Sequence, residues 1–175
     1  GLVTGLMFAK FSRPSARVLF SHMAVIAPHN GTPHFMLRLA NERDNRIVNV
    51  EAKLTLMREE PTHEGKIMRR FYDLPLLRKE IPVLRYSWTL FHPIDANSPL
   101  YGMDATALRA AEVEIIVSLT GLDETFAQTV HARHSYIEDE IFFNAQFQDI
   151  IERGSDDRFK IRYDKFHEVV QDDSR

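Results

Sequence analysis

Hydrophobic and polar residues alternate with a period of two along much of the chain, as they do in β-strands that have one face buried. The longest alternating segment spans residues 47–57. Its apolar face is predicted to carry Val48, Val50, Ala52, Leu54 and Leu56. Its polar face is predicted to carry Asn49, Glu51, Lys53 and Thr55. We expect this strand to pack on a core with one face and to meet water or a polar surface with the other.

Short apolar or alternating runs separated by turn residues predict further strands. These cover residues 23–27, 34–41, 67–74, 84–94, 113–122, 123–137, 140–151, 159–163 and 166–170. Asn30 and Gly31 predict a tight hairpin turn, and residues 103–112 predict a short helix with Asp104 as its N-cap. Many short strands with little helix predict an all-β fold, an immunoglobulin-like antiparallel β-sandwich with one or two short helices.

The length and composition of the chain fit one such domain. It has 175 residues, about the size of a single domain. It has no cysteine, which excludes disulfides, thiolate chemistry and cysteine-ligated zinc. No apolar run approaches the ~18 residues of a membrane span, so the sequence predicts no spanning helix.

The charges are distributed unevenly along the chain. All 25 Asp and Glu residues lie from residue 42 onward, whereas the residues before it carry only cations, namely Lys10, Arg13, Arg17 and Arg38. The apolar residues 1–9 directly precede this basic group, which is typical of a membrane helix leaving the bilayer on its cytoplasmic side. An amphipathic first helix or an irregular terminus explains the same residues. Because no broad basic face is present, we predict no nucleic-acid partner.

Catalytic and metal-binding patterns are weak in this sequence. His131 and His134 are three residues apart, and in a strand that spacing puts them on opposite faces, so we predict no metal site. The sequence contains no nucleophile motif and no phosphate-binding loop. Acid pairs such as Glu59 and Glu60 fall in predicted turns, where carboxylates are solvated. The sequence therefore predicts no cofactor and a protein that is not an enzyme.

Five separated motifs resemble the cytoplasmic domain of inward-rectifier potassium channels, most closely the prokaryotic KirBac branch. They follow the family's order and spacing over nearly the whole chain. The five are FAKFSRPSARVLFSHMAVI, MLRLANERDNRIV, HPIDANSPLYG, VEIIVSLTGLDETFAQTVHARHSYIEDEIFF and RYDKFHEVV. The resemblance implies an immunoglobulin-like sandwich below a two-helix pore and a homotetramer with fourfold symmetry. It also implies K⁺ as the permeant ion and a location at the cytoplasmic face of the bacterial inner membrane.

The resemblance divides the chain into two parts. Residues 1–17 would form the end of the inner transmembrane helix and a basic tether, and residues 18–175 the cytoplasmic sandwich domain. Lys10, Arg13 and Arg17 match basic positions of the family's tether, which binds anionic membrane lipid. Ser15 and Ala16 stand where eukaryotic members carry lysines, so strong activation by phosphoinositides is not expected here.

A loop that narrows the ion path is implied by the similarity of residues 121–132 to the family. The residues matched to this constriction are Gly121, Phe126, Ala127, Gln128 and Thr129. Glu124 and Arg133 match a charged pair that braces the loop. In the family, a signal acting at the tether moves the sandwich, and this loop and the inner helix then open or close the ion path.

The positions that line the ion path in the family match Asn49, Glu80 and Thr120. Strong rectifiers carry acids there, which hold Mg²⁺ or polyamines as blockers, whereas Asn49, Thr120 and a further matched position, Leu76, are uncharged. The resemblance therefore implies weaker block by cytoplasmic cations than in strong rectifiers. The alternative interpretation of the chain is a soluble β-sandwich module that binds a small ligand or a protein, which explains the strands but not the apolar and then basic start.

Overall fold

The computed structural model describes residues 18–43, 45–156 and 158–172. Nearly all of its regular structure is extended. The strands are β1 (Val18–Phe20), β2 (Ala24–His29), β3 (Thr32–Asn41), β4 (Ile47–Pro61), β5 (Ile67–Asp73), β6 (Glu80–Leu84), β7 (Ser87–Pro93), β8 (Glu114–Asp123), β9 (Gln128–Ile137), β10 (Ile141–Phe143), β11 (Ala145–Phe147), β12 (Ile151–Arg153), β13 (Phe159–Ile161) and β14 (Val169–Gln171). One α-helix, α1 (Ala105–Ala110), and two 3₁₀ helices, η1 (Glu138–Glu140) and η2 (Tyr163–Lys165), complete the described elements.

Two five-stranded sheets form the body of the domain. In the first sheet, β3 pairs with β1, β2 and β7, and β10 adds to β2 in parallel. In the second sheet, β4 pairs with β5, β6 and β8, and β9 adds to β8. The other pairings within these sheets are antiparallel. This mostly antiparallel, two-sheet arrangement confirms the predicted all-β, immunoglobulin-like sandwich.

The core lies between the two sheets and follows the alternation of the sequence. On β3, Phe35, Leu37 and Leu39 are fully buried. The second sheet contributes residues such as Leu54 and Val117, which belong to the same apolar cluster. The hydrophobic effect that fixes the sandwich therefore acts through one face of each sheet.

Two local predictions from the sequence are confirmed. Asn30 and Gly31 join β2 to β3 in a two-residue turn in which both have positive φ, 51° and 81°, as a type I′ hairpin requires. The predicted helix is present, and Asp104 caps it by accepting a hydrogen bond from the Ala107 N–H at 2.8 Å.

Several predicted strand boundaries are wrong. The segment 84–94 is not one strand, because Leu84 ends β6 and β7 begins only at Ser87. The segment 140–151 breaks at Asn144, whose φ of 53° ends β10 and starts β11 in a new direction. Phe166 is not in a strand: it follows η2 and is fully buried.

The HPIDANSPLYG motif has a structural role in this domain. His92 is buried, its Nδ1–H donates to the Pro75 carbonyl at 2.7 Å, and its Nε2 lies 2.8 Å from the Ser98 hydroxyl. The Ser98 hydroxyl also accepts the Leu100 N–H. Burial lowers the pKa of His92, so its ring is neutral at neutral pH and ties the loop after β7 to the segment before β6.

The C-terminal segment packs on the outer face of the first sheet. Phe166 and Ile150 bury themselves there against Ala40. The guanidinium of Arg38, also on that face, donates to three backbone carbonyls: Phe166 at 2.8 Å, Gln148 at 2.6 Å and Lys165 at 2.9 Å. One buried side chain thus holds two separate parts of the C-terminal segment.

Candidate functional site

A line of polar side chains crosses the second sheet on its exposed face. Glu80 on β6 lies opposite Glu51 on β4, Glu51 lies opposite Thr120 on β8, and Thr120 lies opposite His131 on β9. All four are exposed. Residues directly opposite on neighbouring strands point to the same face. We call these four residues, with Asn49, the polar row; it spans about 14 Å across four strands.

Asn49 enters this row through a β-bulge. The register between β4 and β8 shifts between Val48 and Glu51, so Asn49 and Val50 together oppose Gly121. Asn49 has a φ of 50°, a conformation that asparagine tolerates better than most residues. Because of the bulge, the predicted apolar face is wrong at Val48. Ile47 and Val50 are fully buried, whereas Val48 is only half-buried.

Gly121 is required by the same bulge. A Cβ at this position would lie 2.7 Å from Ile47 Cγ2 and 3.4 Å from the Val48 carbonyl oxygen. A side chain there would displace the buried Ile47 or the bulged backbone. The glycine matched to the start of the constriction loop is thus a position of close packing between β4 and β8.

Asn49, Glu51 and Glu80 line one open groove of about 410 Å³. Two carboxylates directly opposite on neighbouring strands repel each other, which lowers the stability of the sheet. Packing does not require this arrangement, since both side chains are exposed. A groove with this charge is suited to attract cations.

The turn between β8 and β9 is organised by a buried carboxylate. Asp123 is 1% exposed, and its Oδ1 accepts the backbone N–H groups of Thr125 at 3.0 Å and Phe126 at 3.4 Å. Ala127 has a φ of 52°, and the Phe126 side chain is 54% exposed. The residues matched to the constriction, 126–129, thus lie in an exposed turn that Asp123 anchors and in the first residues of β9.

A continuous set of contacts joins this turn to the start of β1. Val18, the first described residue, pairs with Asn41 at the end of β3. The Asn41 side chain donates to the Asn45 carbonyl, and the Asn45 side chain donates to Asp123 at 3.4 Å. The start of the sandwich and the β8–β9 turn therefore lie at the same end of the domain.

Glu124 and Arg133 are separated within the chain. The Glu124 carboxylate lies 3.3 Å from the guanidinium of Arg46, and the Glu124 N–H donates to the Arg46 carbonyl. Arg133 lies opposite Ser118, six residues before Glu124, which is roughly 15 to 20 Å along the strand. A direct contact between Glu124 and Arg133 is therefore possible only between two copies of the chain.

The remaining predicted positions are distributed as follows. Lys10, Arg13 and Arg17 lie outside the described residues. His131 is exposed on the polar row, whereas His134 points to the opposite face and stacks on Phe20 at a centroid distance of 5.7 Å. Among the described residues, no group of three or more His, Asp or Glu side chains is placed to hold a metal ion.

Comparison with known families assigns the chain. The sequence profile of the Inward rectifier potassium channel C-terminal domain matches residues 18–174. The chain belongs to this family. The inward rectifier domain is therefore part of a channel family and not of an enzyme family, as the sequence predicted.

Curated relatives of this inward rectifier domain come from bacteria and animals. Inward rectifier potassium channel Kirbac3.1 of Paramagnetospirillum magnetotacticum is 44% identical over 170 residues, which cover 97% of this chain and 58% of that protein. Human G protein-activated inward rectifier potassium channel 1 is 33% identical over 182 residues, covering 95% of this chain and 34% of that protein. Human Inward rectifier potassium channel 4 is 32% identical over 179 residues, covering 95% and 39%. The chain thus spans less than two thirds of the length of these relatives.

The structure adds two residues that sequence reasoning did not assign to the site. The alternation of β4 marks Glu51 only as one of several polar residues, whereas the register places it between Glu80 and Thr120. The resemblance places Asp123 in a loop, whereas in the structure it ends β8 and anchors the β8–β9 turn from a buried position. Within the described residues, no helix is long and apolar enough to cross a bilayer.

Proposed function

We propose that this domain extends the ion path of an inward rectifier potassium channel on the cytoplasmic side of the bacterial inner membrane and takes part in gating. The observation that carries the proposal is the polar row. It combines carboxylate, hydroxyl, amide and imidazole groups on the exposed face of a sheet whose other face is core. A conduit for K⁺ needs such a hydrated surface, with a negative charge that is modest rather than strongly binding.

Four copies around a fourfold axis would turn the polar row into rings. Asn49, Glu80 and Thr120 would then line the path, with Glu51 between them. Each acidic position would contribute four carboxylates at one level of the path, which raises the local concentration of cations. Mg²⁺ and polyamines are the blockers that such rings would hold, and K⁺ the ion that would pass.

The contacts at the end of the sandwich support a role in gating. Contacts from Val18 through Asn41 and Asn45 to Asp123 connect two places: the point where the tether would enter, and the β8–β9 turn that is matched to the constriction. A displacement of the tether would be transmitted through these contacts to residues 126–129. Two discrete positions of the turn, one open and one closed, would then be favoured to different extents by a signal at the tether.

The homotetramer and the bracing pair are tested together by cysteine cross-linking. The chain has no native cysteine, so the double variant Glu124→Cys/Arg133→Cys introduces only the thiols of interest. Since the two positions are too far apart within one chain for a disulfide, oxidation is expected to give covalent dimers, trimers and tetramers on a denaturing gel. The experiment applies to the 175-residue chain at high concentration and to the channel that carries it.

The matched control is Arg46→Cys/Glu124→Cys, whose two positions adjoin within one chain. Oxidation of this variant is expected to leave a monomer band with altered mobility. If the first variant also gives only monomer, the bracing pair between copies is wrong. A monomer at high concentration by light scattering, for the channel as well as the isolated chain, would contradict the tetramer itself.

Lipid binding is proposed for the tether. Lys10, Arg13 and Arg17 directly precede β1, and each cation near an anionic leaflet contributes about 1 kcal/mol of attraction. Anionic liposomes are therefore expected to float the wild-type chain and to float Lys10→Ala/Arg13→Ala several-fold less. Neutral phosphatidylcholine liposomes should float both equally poorly. Equal flotation of the two proteins by anionic liposomes would exclude these cations as the lipid site.

A further inference from the structure

Two histidines meet where the start of the sandwich contacts its C-terminal segment. His22 follows β1, and its ring stacks on that of His167 with a centroid distance of 3.5 Å and an interplanar angle of 8°. The backbone N–H of His22 also donates to Nδ1 of His167 at 3.0 Å. These contacts join residues 145 positions apart in the sequence. We call this pair the histidine latch.

The position of His167 is fixed by its neighbour in the chain. Phe166 is fully buried, and its carbonyl accepts a hydrogen bond from the Arg38 guanidinium. The Phe166 ring also meets the His167 ring edge to face at 5.2 Å. His167 itself is half-buried, whereas His22 is exposed. Protons from solvent can therefore reach the latch, while the backbone that carries His167 is held in place.

The hydrogen bond requires one protonation state of His167. Because Nδ1 accepts the His22 N–H, that nitrogen carries no proton, and the neutral ring has its proton on Nε2. A second proton would bind at Nδ1 and remove the acceptor. Neutral His167 closes the latch, and protonated His167 breaks its hydrogen bond to the His22 N–H.

The charged groups around His167 favour the neutral state. Burial lowers the pKa of His167, and the charges of His22, Arg38 and His134 lower it further, whereas Glu42 raises it. Burial likewise lowers the pKa of His134, which Glu140 opposes. The folded pKa of His167 therefore lies below the ordinary value of about 6.5. The contribution of the latch to stability is full above that value and is lost as the pH falls through the folded pKa.

We propose that the histidine latch is a proton-operated connection between the start of the sandwich and its C-terminal segment, closed at neutral pH and released by acidification. Release frees the backbone N–H of His22 between β1 and β2, directly after the strand that pairs with Asn41. If the proposed function holds, this connection makes the channel sensitive to cytoplasmic pH; the latch itself does not depend on that function.

Hydrogen exchange of the His22 amide in the 175-residue chain tests the latch. Its protection factor, corrected for the intrinsic pH dependence of exchange, is expected to fall tenfold or more between pH 8 and pH 5. The variant His167→Asn keeps an acceptor at the equivalent δ position but cannot be protonated, so its protection should change less than about twofold over the same range. His63→Asn, in the exposed β4–β5 turn, is the matched control and should behave like the wild type.

A second variant is expected to shift the pH midpoint for loss of protection, which a purely structural role of the two histidines would not do. His22→Phe keeps the stacked ring and the backbone donor but removes the charge that lowers the pKa of His167. The midpoint for loss of protection should therefore move to higher pH. Ring ¹⁵N chemical shifts of the wild type should show unprotonated Nδ1 on His167 at pH 8 and protonation by pH 5, even if a variant fails to fold.

Three results would overturn the proposal. The first is a wild-type protection factor that is equal at pH 8 and pH 5. The second is an equal pH-dependent loss in the wild type and in His167→Asn, which would place the titrating group elsewhere. The third is a proton on Nδ1 of His167 at pH 8. None of these results bears on the tetramer or the ion path, which the cross-linking experiment tests separately.

Discussion

Arg38→Met is expected to lower the free energy of unfolding by roughly 3 to 5 kcal/mol. Arg38 is 6% exposed, and its guanidinium supplies the hydrogen bonds to the carbonyls of Gln148, Lys165 and Phe166. Methionine fills a similar volume but leaves these carbonyls without their donor. It also removes the contact of the cation with the ring of Phe147, 4.8 Å from the guanidinium carbon.

Burial lowers the pKa of Arg38 to about 10, and the charge of Asp149 partly opposes this effect. The side chain is therefore still charged at neutral pH, and its donors remain fully available. Arg38→Lys keeps the charge, but a single ammonium cannot reproduce the planar set of donors. We expect Arg38→Lys to recover only part of the lost stability.

Urea denaturation measures this effect, and hydrogen exchange of residues 163–171 localises it. The exposed Arg85 is the matched control, because Arg85→Met should change the free energy of unfolding by less than about 0.5 kcal/mol. If Arg38→Met lies within 1 kcal/mol of the wild type, the C-terminal segment is held mainly by the burial of Phe166 and Ile150 rather than by this guanidinium.

The sandwich could be predicted from sequence because its signals are local. The alternation in β3 and β4, the Asn-Gly turn and the Asp104 cap each depend on residues close together in the chain. The bulge at Asn49 could not be predicted, since it arises from the register of β4 against β8 and from the missing side chain of Gly121. Because of this bulge, Ile47 rather than Val48 is buried in the core.

The site was predictable only in part, for a related reason. Family resemblance indicates Asn49, Glu80 and Thr120. Glu51 is assigned to the site only because it lies opposite Glu80 on one neighbouring strand and Thr120 on the other. The contact of Arg38 with residues more than a hundred positions away likewise cannot be predicted from the periodicity of β3. An arginine among the apolar residues of a strand predicts a charge exposed to solvent, whereas here the C-terminal segment covers it.

Neutralising both acids of the polar row, Glu51→Gln/Glu80→Gln, is expected to weaken polyamine block of the channel that carries this domain by tenfold or more. Under the proposed fourfold arrangement, the two positions supply all the carboxylates of the row. Removing them eliminates two rings of four charges, and a loss of only about 1.4 kcal/mol of attraction corresponds to tenfold weaker binding. Inside-out patch recordings with cytoplasmic spermine measure the block directly.

The reverse changes separate the contribution of this row from that of other charges. Asn49→Glu and Thr120→Glu add carboxylates next to Glu51 and should strengthen block toward that of a strong rectifier, which the wild type is expected not to reach. Glu64→Gln, in the exposed β4–β5 turn away from the row, removes one carboxylate per chain and should leave block unchanged. Raised salt should shrink the effect of distant charges more than that of the row, because exposed charges beyond about 10 Å are screened.

Block that is the same in Glu51→Gln/Glu80→Gln, Glu64→Gln and the wild type would mean that the polar row does not face the ions. The exposed face of the second sheet would then have to meet another surface instead.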